Sequence, residues 1–576
     1  MQNMKTFPMI KYMLPVALLL ATTSAHAAVN VEVKDAYKAM LQINTYNGQG
    51  QLLKSGPAFF INSQGDAVAA YNLLKGAQRA EVIDYKGKKY SVFRILGANS
   101  NADLVKFSIK GVNKNEYFSL TSTTATQGAA LTLLHYTQNK KEVMPQITIT
   151  NAVAYAPYSY YDVSATNDSL NFNCPLIDNQ GILTAVVQRN AGKNASHACA
   201  VDARFINDLT INATAAFNSD LTSIAIPKAL PQERNDALTY LYMLSQNDSI
   251  ACMNAYNDFI DRYPTIPEGY LEKAKFKTNR GLYAQAEADF TTAFDKAKNS
   301  KDSAATKEDA IHYTLSNMIY KKIMEQGRDT LSNGWNLKRA EEEAVKAYAI
   351  QPNALYKVQE GNCQYAEKDY QSAYESFKKA CEDKDFASSE TFFSAARSLE
   401  LAKGDSKEVI ALLDSCISLI PANASANYAQ FYFERSQRLI NAGKYRDAVA
   451  DYNQYEQMIG PRNLSEQFYY LRSQAEEKAH MYQQAIDDLH SAIAISKHPV
   501  LYQIDEAALL LNIGETKSAI EAAEKILKVL PENPDCYKII GVGYGQLKNK
   551  PLALKYLNKA RELGDESVVS LIEKFK

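Results

Sequence analysis

Cysteine and histidine, the residues that most often build metal and redox centres, are scarce in this sequence. Seven of each occur among 576 residues. No two cysteines are separated by two residues, and no cysteine–histidine cluster has the spacing of metal ligands. We therefore expect no metal and no other cofactor. In an exported protein disulfides are permitted, and the odd number leaves at least one cysteine unpaired or shared between chains.

An excess of basic charge is also missing. The formal net charge is −1, whereas proteins that bind nucleic acid concentrate basic charge on one face. The sequence contains no glycine-rich phosphate loop followed by lysine. Its 37 tyrosines are better explained by packing than by stacking on bases. These features predict no nucleic-acid partner.

Long hydrophobic runs are limited to one segment near the start. Met13–Ala21 is apolar, follows Lys5 and Lys11, and precedes the small residues of "AHA" that end at Ala27. This pattern predicts a secretory signal peptide over residues 1–27, with an uncleaved N-terminal anchor as the alternative. The run is shorter than the roughly 20 residues of a membrane helix, and no cysteine follows to take a lipid. We expect an exported protein without an integral membrane segment after cleavage.

The rest of the sequence divides into two regions with different periodicity. Residues 30–215 contain short apolar runs such as "AEVIDY" and "ALTLLHY", separated by turn signals such as "NSQGD" and "NQG", which is typical of an all-β barrel or sandwich. Two prolines mark a linker over 216–235. From residue 236 to 576, apolar residues recur at three- and four-residue spacing, which predicts helices to the C-terminus.

The helical region repeats itself. The anchors Ala448, Ala485, Ala519 and Ala553 are 37, 34 and 34 residues apart, a spacing that indicates stacked helical hairpins. The anchor triplets are Ala286/Phe290/Ala293, Ala373/Phe377/Ala380, Ala448/Tyr452/Tyr455, Ala485/Leu489/Ala492, Ala519/Ala523/Ile526 and Ala553/Leu557/Ala560. We assign these residues to packing.

A second register agrees with the first. Twelve positions before each anchor stands a small residue, where paired helices approach closely: Ala274, Gly361, Ser436, Ser473, Ala507 and Gly541. Weaker copies are centred on Cys252/Tyr256/Phe259, Ala340/Ala344/Ala347 and Val409/Leu413/Cys416. The sequence therefore predicts about nine repeats.

This region resembles the tetratricopeptide-repeat (TPR) family over most of Asp236 to Glu566. The resemblance implies an all-α superhelix, a solenoid whose concave face is lined by the first helix of each pair. That face is the usual binding surface, so a protein or peptide partner is expected there.

The β region resembles a trypsin-like serine protease domain of the HtrA type, from about Gln42 to Leu209. The order of "AVAAYNLL", "NADLVKF", "ITITNAVAY", "NFNCPLIDNQGILTAVVQ" and "HACAVDARFINDL" carries the resemblance. It implies an N-terminal all-β double barrel in a multidomain chain. A bacterial envelope setting follows from the same resemblance, periplasmic in the first place, with secretion past the periplasm left open.

The resemblance also shows which catalytic residues are replaced. The histidine position falls on Asn72, which cannot exchange a proton near neutral pH. The carboxylate position falls on Asp103 and is kept. The serine position falls on Phe172, and the glycines around it are replaced, among others by Asn173 and Cys174. Without nucleophile, base and glycine loop, we expect a barrel without protease chemistry, a pseudoprotease.

Two roles compete for Cys174. It could act as a substitute nucleophile with His197 as its base. In the resembled fold the segments of Cys174 and Cys199 run near each other, which favours a disulfide that would contribute on the order of 3 kcal/mol. We predict the disulfide.

Three functions remain compatible with the sequence. The leading hypothesis is an exported, non-catalytic protein-binding or scaffold protein with a pseudoprotease barrel and a TPR groove. The alternative is a divergent serine- or cysteine-type peptidase that acts on envelope proteins. A third possibility is a structural subunit of an envelope assembly.

Overall fold

The computed structural model describes residues 32–575, except 113, 138–143, 193–194 and 246–248. The signal peptide predicted for residues 1–27 therefore lies outside the described residues. The chain divides into two compact units, Met1–Ala305 and Thr306–Lys576. The first unit holds the barrels and the earliest helices, and the second holds helices throughout.

The strands of the first unit form two closed antiparallel barrels. They are β1 (Met40–Tyr46), β2 (Leu52–Phe60), β3 (Asp66–Ala69), β4 (Arg79–Ile83), β5 (Lys89–Asn99), β6 (Leu104–Ile109), β7 (Ala130–Leu133), β8 (Gln146–Tyr155), β9 (Tyr158–Thr166), β10 (Pro175–Ile177), β11 (Leu183–Gln188) and β12 (His197–Asp202). Their order is β1-β2-β3-β6-β5-β4 in the first barrel and β7-β8-β9-β12-β11-β10 in the second. The two six-stranded barrels thus share one topology, which is compatible with a trypsin-like double barrel.

Alternation along single strands separates two hydrophobic cores. In β1, Leu41 and Ile43 face the interior of the first barrel, whereas Met40 faces a second cluster. That second cluster also contains Phe59 of the first barrel and Val186 of the second. Because successive side chains of a strand point to opposite faces, one strand supplies both the barrel core and the packing between the barrels.

The helices follow the barrels, apart from one short turn between β3 and β4. They are α1 (Tyr71–Leu74), α2 (Ser219–Thr222), α3 (Arg234–Leu244), α4 (Ser249–Arg262), α5 (Pro267–Asn279), α6 (Tyr283–Asn299), α7 (Glu308–Gln326), α8 (Leu337–Ile350), α9 (Ala354–Ala366), α10 (Tyr370–Cys381), α11 (Ser389–Leu401), α12 (Ser406–Ser418), α13 (Ala429–Asn441), α14 (Tyr445–Ile459), α15 (Glu466–Lys478), α16 (Tyr482–Ile495), α17 (Val500–Asn512), α18 (Thr516–Leu527), α19 (Pro534–Gln546), α20 (Lys550–Glu562) and α21 (Val569–Phe575). The 3-10 helices are Val33–Ala39, Ala203–Asp208, Ala215–Phe217, Ser332–Gly334, Ala426–Tyr428, Pro461–Asn463 and Glu566–Val568. Of all the helices that the structure describes, none combines the length and the apolar character needed to cross a membrane.

Each helix of the second unit packs on its neighbours in sequence, and α7 and α17 also contact the next helix but one, α9 and α19. The predicted anchors are buried, with Tyr455 half-buried. The small residues in the second register are needed for close packing. A Cβ added to Gly361 would lie 2.9 Å from the Phe377 ring, and one added to Gly541 would lie 2.8 Å from Leu557.

The turn inside each helical pair repeats as well. A residue with a left-handed backbone stands between the first and second helix of successive pairs, at Lys368, Lys403, Gly443, His480, Gly514 and Lys548. Their φ angles lie between 59° and 91°. Such a residue ends a helix because its backbone cannot continue the right-handed turn. One local geometry therefore recurs along the array.

The earliest helices share a core with the first barrel. Phe107 of β6 and Tyr256 of α4 belong to one buried cluster. Arg94 of β5 forms a two-pronged ion pair with Asp258 of α4, with N–O distances of 2.8 and 2.9 Å. Residues 216–235, which precede the helices and were predicted as a linker, also pair with β5. The carbonyl of Ile95 accepts a hydrogen bond from the backbone of this segment, and the N–H of Ile95 donates one to it. This segment is part of the packed first unit.

Candidate functional site

The positions that correspond to the protease histidine and carboxylate lie together. The backbone N–H of Asn72, in α1, donates to Oδ1 of Asp103 at 2.8 Å. The N–H of Tyr71 donates to the Asp103 carbonyl at 3.1 Å. Asp103 has a left-handed backbone, with φ of 45°. The first barrel therefore holds this pair in a fixed geometry although no imidazole is present.

The residue beside Asp103 is Asn72, which is not a base, so the Asp103 carboxylate has no base there to orient. Burial raises the pKa of the Asp103 carboxyl, and hydrogen bonds from Asn72 oppose the rise. Lys54 donates to the Asn72 carbonyl at 2.7 Å. Carboxamide and ammonium groups here can position a chain, but neither can remove and return a proton at neutral pH as a catalytic imidazole does.

Two backbone N–H groups of the loop at the predicted serine position donate to acceptors within the protein. The N–H of Leu170 donates to the Asp168 carboxylate at 2.9 Å, and that of Asn173 donates to the Val187 carbonyl at 2.7 Å. Asn173 is in the left-handed region at φ 63°. An oxyanion hole needs such donors aimed at the reacting carbonyl. Those of Leu170 and Asn173 are already used within the protein.

Phe172 is half-buried in this loop, between two asparagines with structural roles. The side chain of Asn171 donates to the Thr166 carbonyl at 3.0 Å, and its Oδ1 lies 3.0 Å from Nε2 of His135. The loop is thus tied to β9 and to the segment after β7. The place of His135 beside this loop was not predicted, because no sequence motif links residue 135 to residue 171.

Cys174 is poorly suited to act as a nucleophile. Its side chain is 1% exposed, and burial raises the pKa of the Cys174 thiol to about 12. Its thiol contacts the Leu170 carbonyl at 3.5 Å, whereas His197 is exposed, with Nδ1 2.9 Å from the hydroxyl of Ser196. Among the described residues no hydrogen bond joins Cys174 and His197. Because the thiolate is the reactive form, this arrangement does not activate Cys174.

The predicted Cys174–Cys199 disulfide is not formed. Both cysteines are free in the structure. Cys174 lies in the core of the second barrel with Ala198 and Ala200, and Cys199 stands between these two alanines on β12. Since side chains alternate along a strand, Cys199 points away from that core, and its thiol lies 3.5 Å from the Arg189 carbonyl. Although the two segments lie near each other, the two thiols lie on opposite faces of β12.

A polar cavity of about 570 Å³ lies in the second unit. Most of the lining comes from alternate helices: Gln437 and Ile440 of α13, Tyr470, Gln474, Glu477 and Lys478 of α15, and Asp505, Ala508 and Leu509 of α17. The intervening helices α14 and α16 add Tyr445 and Leu489. The Tyr470 hydroxyl donates to Asp505 at 2.6 Å. Burial and this carboxylate raise the pKa of Tyr470 to about 12. The cavity thus presents amide, phenol and carboxylate groups beside aliphatic surface.

The sequence did contain a signal for these cavity residues. Gln437, Gln474 and Ala508 each follow the small residue of the second register directly. A residue one step from a helix–helix contact lies about 100° around the helix, so this position can face away from the partner helix. The repeat register predicts the position, although it does not predict that a cavity opens there.

Ion pairs stabilise the helices around the cavity. Arg472 of α15 binds Asp488 of α16 through two N–O contacts of 2.7 and 2.9 Å, and it binds Glu456 at 2.6 Å. Arg435 and Asp451 form the same pair one repeat earlier. Glu476 lies 3.9 Å from Arg472, and burial, with the charge of Asp488, raises the pKa of Glu476 to about 8.

The described residues contain no group of three or more histidine, cysteine or acidic side chains that could hold a metal ion. No protein-family model matches the sequence, and no curated protein matches it either.

Proposed function

We propose that this protein is an exported, non-catalytic binding or scaffold protein. Its HtrA-type barrel domain lacks protease chemistry, and its TPR-like helical array holds an extended peptide segment of a partner protein. The observation that carries the proposal is the cavity lined mainly by the alternate helices α13, α15 and α17. A bacterial envelope, with the periplasm first, is the proposed location.

The chemistry of the cavity suits an extended chain. Gln437 and Gln474 lie at equivalent positions of neighbouring repeats. Gln437 donates one hydrogen bond to the Tyr452 hydroxyl, and the remaining donor and acceptor atoms of each carboxamide can bind a peptide backbone. Ile440 and Leu509 provide apolar surface for side chains beside these polar groups. An array of this kind recognises a segment by backbone contacts along a groove and by pockets for alternate side chains.

The state of the barrel domain supports a non-catalytic role. Asn72 stands where a base is required, and Phe172 stands where a nucleophile is required. The N–H of Leu170 is engaged by Asp168 within the loop, and that of Asn173 is engaged by the Val187 carbonyl of β11. Restoring one of these features would leave the others unmet, since a serine-protease site acts as a unit.

Site-specific photo-crosslinking on the full-length protein tests the binding role. A benzoylphenylalanine at Gln474 should capture defined peptide segments from envelope proteins, and Ala508→Trp should reduce this capture because it fills the cavity. Glu521→Trp, on the exposed face of α18, is the matched control and should leave capture unchanged. Capture that is equal in both tryptophan variants would contradict binding in this cavity.

A hydrolysis assay separates this role from a peptidase. Purified protein should not cleave unfolded casein, and Cys174→Ala should change nothing. Cleavage that disappears in Cys174→Ala would overturn the non-catalytic proposal and establish the cysteine-peptidase alternative.

A further inference from the structure

A second cavity, of about 430 Å³, lies against the first barrel. It is lined by Lys38 of the first 3-10 helix, by residues of the β4–β5 turn and by the segment from Lys114 to Glu116. Phe60 and Val112 add apolar surface. Its volume falls within the range of about 300–1,000 Å³ that is common for small-molecule sites. None of the degenerate protease positions lines it.

The charged groups around this cavity are mainly positive. Lys38, Lys86, Lys88 and Lys114 line it, against the acidic residues Asp84 and Glu116. Lys38 pairs with Asp35 at 2.8 Å. Within the described part of the chain, the other three lysines have no carboxylate within ion-pair distance. The cavity therefore has more ammonium groups than carboxylates to neutralise them.

Asp84 is occupied in shaping the β4–β5 turn. Its Oδ1 accepts from the backbone N–H groups of Lys86 and Lys88, at 2.9 and 2.8 Å. Its Oδ2 accepts from the Tyr90 hydroxyl at 3.4 Å. Asp84 is thus an Asx-turn residue, and the turn that it stabilises places two lysines at the cavity.

Aromatic rings hold these lysines in place. The ammonium of Lys86 lies 5.3 Å from the centre of the Tyr85 ring, and that of Lys88 lies 4.7 Å from the centre of the Tyr90 ring. Both distances are within cation–π range. Both rings line the cavity, so the positive groups stand beside flat apolar walls.

The charge of the first barrel extends beyond the cavity. Residues 32–120 contain twelve lysines and arginines against seven acidic residues, although the whole chain has a net charge of −1. A local positive potential raises the concentration of anions at the surface that carries it. The cavity lies within this positively charged part of the chain.

We propose that this cavity binds a carboxylate or phosphate group carried on an apolar or aromatic body. Lys86, Lys88 and Lys114 supply the charge for the anion, and Tyr85, Tyr90 and Phe60 contact the body. This site is independent of the helical groove, and either one can exist without the other.

Saturation-transfer NMR on the full-length protein tests the proposal with phenyl phosphate, phenylacetate and inorganic phosphate as probes. At least one aromatic probe should bind saturably. The double variant Lys86→Gln/Lys88→Gln should raise its Kd by about tenfold, equal to roughly 1.4 kcal/mol. The matched control is Lys75→Gln/Lys89→Gln, which removes the same charge from exposed positions outside the cavity lining. It should change the Kd less than about twofold.

The three probes distinguish the ligand classes. Preference for phenyl phosphate or for phenylacetate assigns the anion, and either result supports the site. Inorganic phosphate that binds as tightly as phenyl phosphate would contradict the aromatic body. An equal loss in both double variants, or no saturable binding of either aromatic probe, would overturn the proposal. Unchanged circular dichroism and melting temperature would show that the variants fold.

Discussion

The loop that replaces the protease nucleophile and the cavity of the helical array use polar groups in opposite ways. In the loop, the N–H of Leu170 donates to the Asp168 carboxylate, and that of Asn173 donates to the Val187 carbonyl. In the helical cavity, Gln437, Gln474 and Asp505 line an open space, where Gln437 donates to the Tyr452 hydroxyl and Asp505 accepts from the Tyr470 hydroxyl. The first arrangement stabilises the fold and leaves neither of these two N–H groups for a substrate. In the second, each side chain keeps further donor or acceptor atoms beyond those bonds, and a ligand in the cavity can use them.

The difference follows from where the polar groups come from. A catalytic loop works through backbone N–H groups, and these can be turned inward by a change of a few residues. A helix satisfies its own backbone, so its side chains remain available for binding once the helix is held by packing. The residues at 170–174 therefore direct two N–H groups to acceptors within the protein, whereas the helical array leaves side chains at a cavity.

The largest expected effect comes from the ion pair beside the helical cavity. Arg472→Ala leaves Asp488, Glu456 and Glu476 without their cation, and removal of one partner of a buried pair costs about 3–5 kcal/mol. Hydrogen exchange measured by mass spectrometry on the full-length protein should show this loss in α15 and α16. If exchange is unchanged in α15 and α16, Arg472 does not stabilise the helices that line the cavity.

Arg397→Ala is the matched control for this variant. Arg397 and Glu400 are half-buried, each 35% exposed, and Glu400 keeps Arg438 as a second cation. The loss should therefore stay within the roughly 0–1 kcal/mol of a pair that solvent can reach. Protection in α11 should therefore fall only slightly.

The same cluster should make the array sensitive to pH. Since the folded-state pKa of Glu476 is raised from 4.5 to about 8, the folded state binds a proton that the unfolded state releases. This contribution is complete below about pH 4.5 and is lost as the pH rises towards 8. Protection of α15 should therefore fall as the pH rises from 5 to 8.

Glu476→Gln tests that pH effect directly. The variant has no carboxyl to titrate at this position, so protection of α15 should depend less on pH than in the parent protein. An equal slope in both proteins would assign the effect to other groups.

We expect no protease activity to appear when two triad side chains are introduced into the first unit. Asn72→His combined with Phe172→Ser restores two side chains of the triad, yet hydrolysis of casein should stay at background. Each missing oxyanion donor costs about 10²–10³ in kcat, and the loop donors are engaged elsewhere. If the double variant hydrolyses casein and loses this activity when Asp103→Asn is added, the loop N–H groups can still serve a substrate. The contrast drawn with the helical cavity would then be wrong.

The smallest effect is expected at Cys199. Because it forms no disulfide in the structure, Cys199→Ser should change stability by less than about 0.5 kcal/mol. Loss of a structural bridge would instead cost about 2–5 kcal/mol. Hydrogen exchange of β12 under oxidising and reducing conditions measures the difference. Alkylation of the native protein should modify Cys199 and spare the buried Cys174.

Much of the architecture was accessible from the pattern of residues. The short apolar runs before residue 215 predicted an all-β region, and the anchors at 34- to 37-residue spacing predicted the buried faces of the helices. Order along the chain also brought Asn72 and Asp103 to one place. These predictions succeed because strand and helix periods record which side chains are buried.

Side-chain direction and packing between segments were not accessible in the same way. Nearness of two segments suggested a bond between Cys174 and Cys199, but β12 turns Cys199 away from the barrel core. The segment around residue 225 looked like a linker, although it packs with β5. Such outcomes depend on a single-residue choice of face or on contacts between residues far apart in sequence.

The sequence by itself determined the chemistry of Asn72 and Phe172, because a carboxamide and a benzyl group cannot act as base and nucleophile in any fold. It also determined the repeat, since burial every three or four residues must be written into the chain. Only the tertiary structure decided where the N–H groups of the loop point, and that α13, α15 and α17 leave a cavity between them. The tertiary structure also places four lysines around the second cavity. These features depend on long-range packing, which local periodicity does not record.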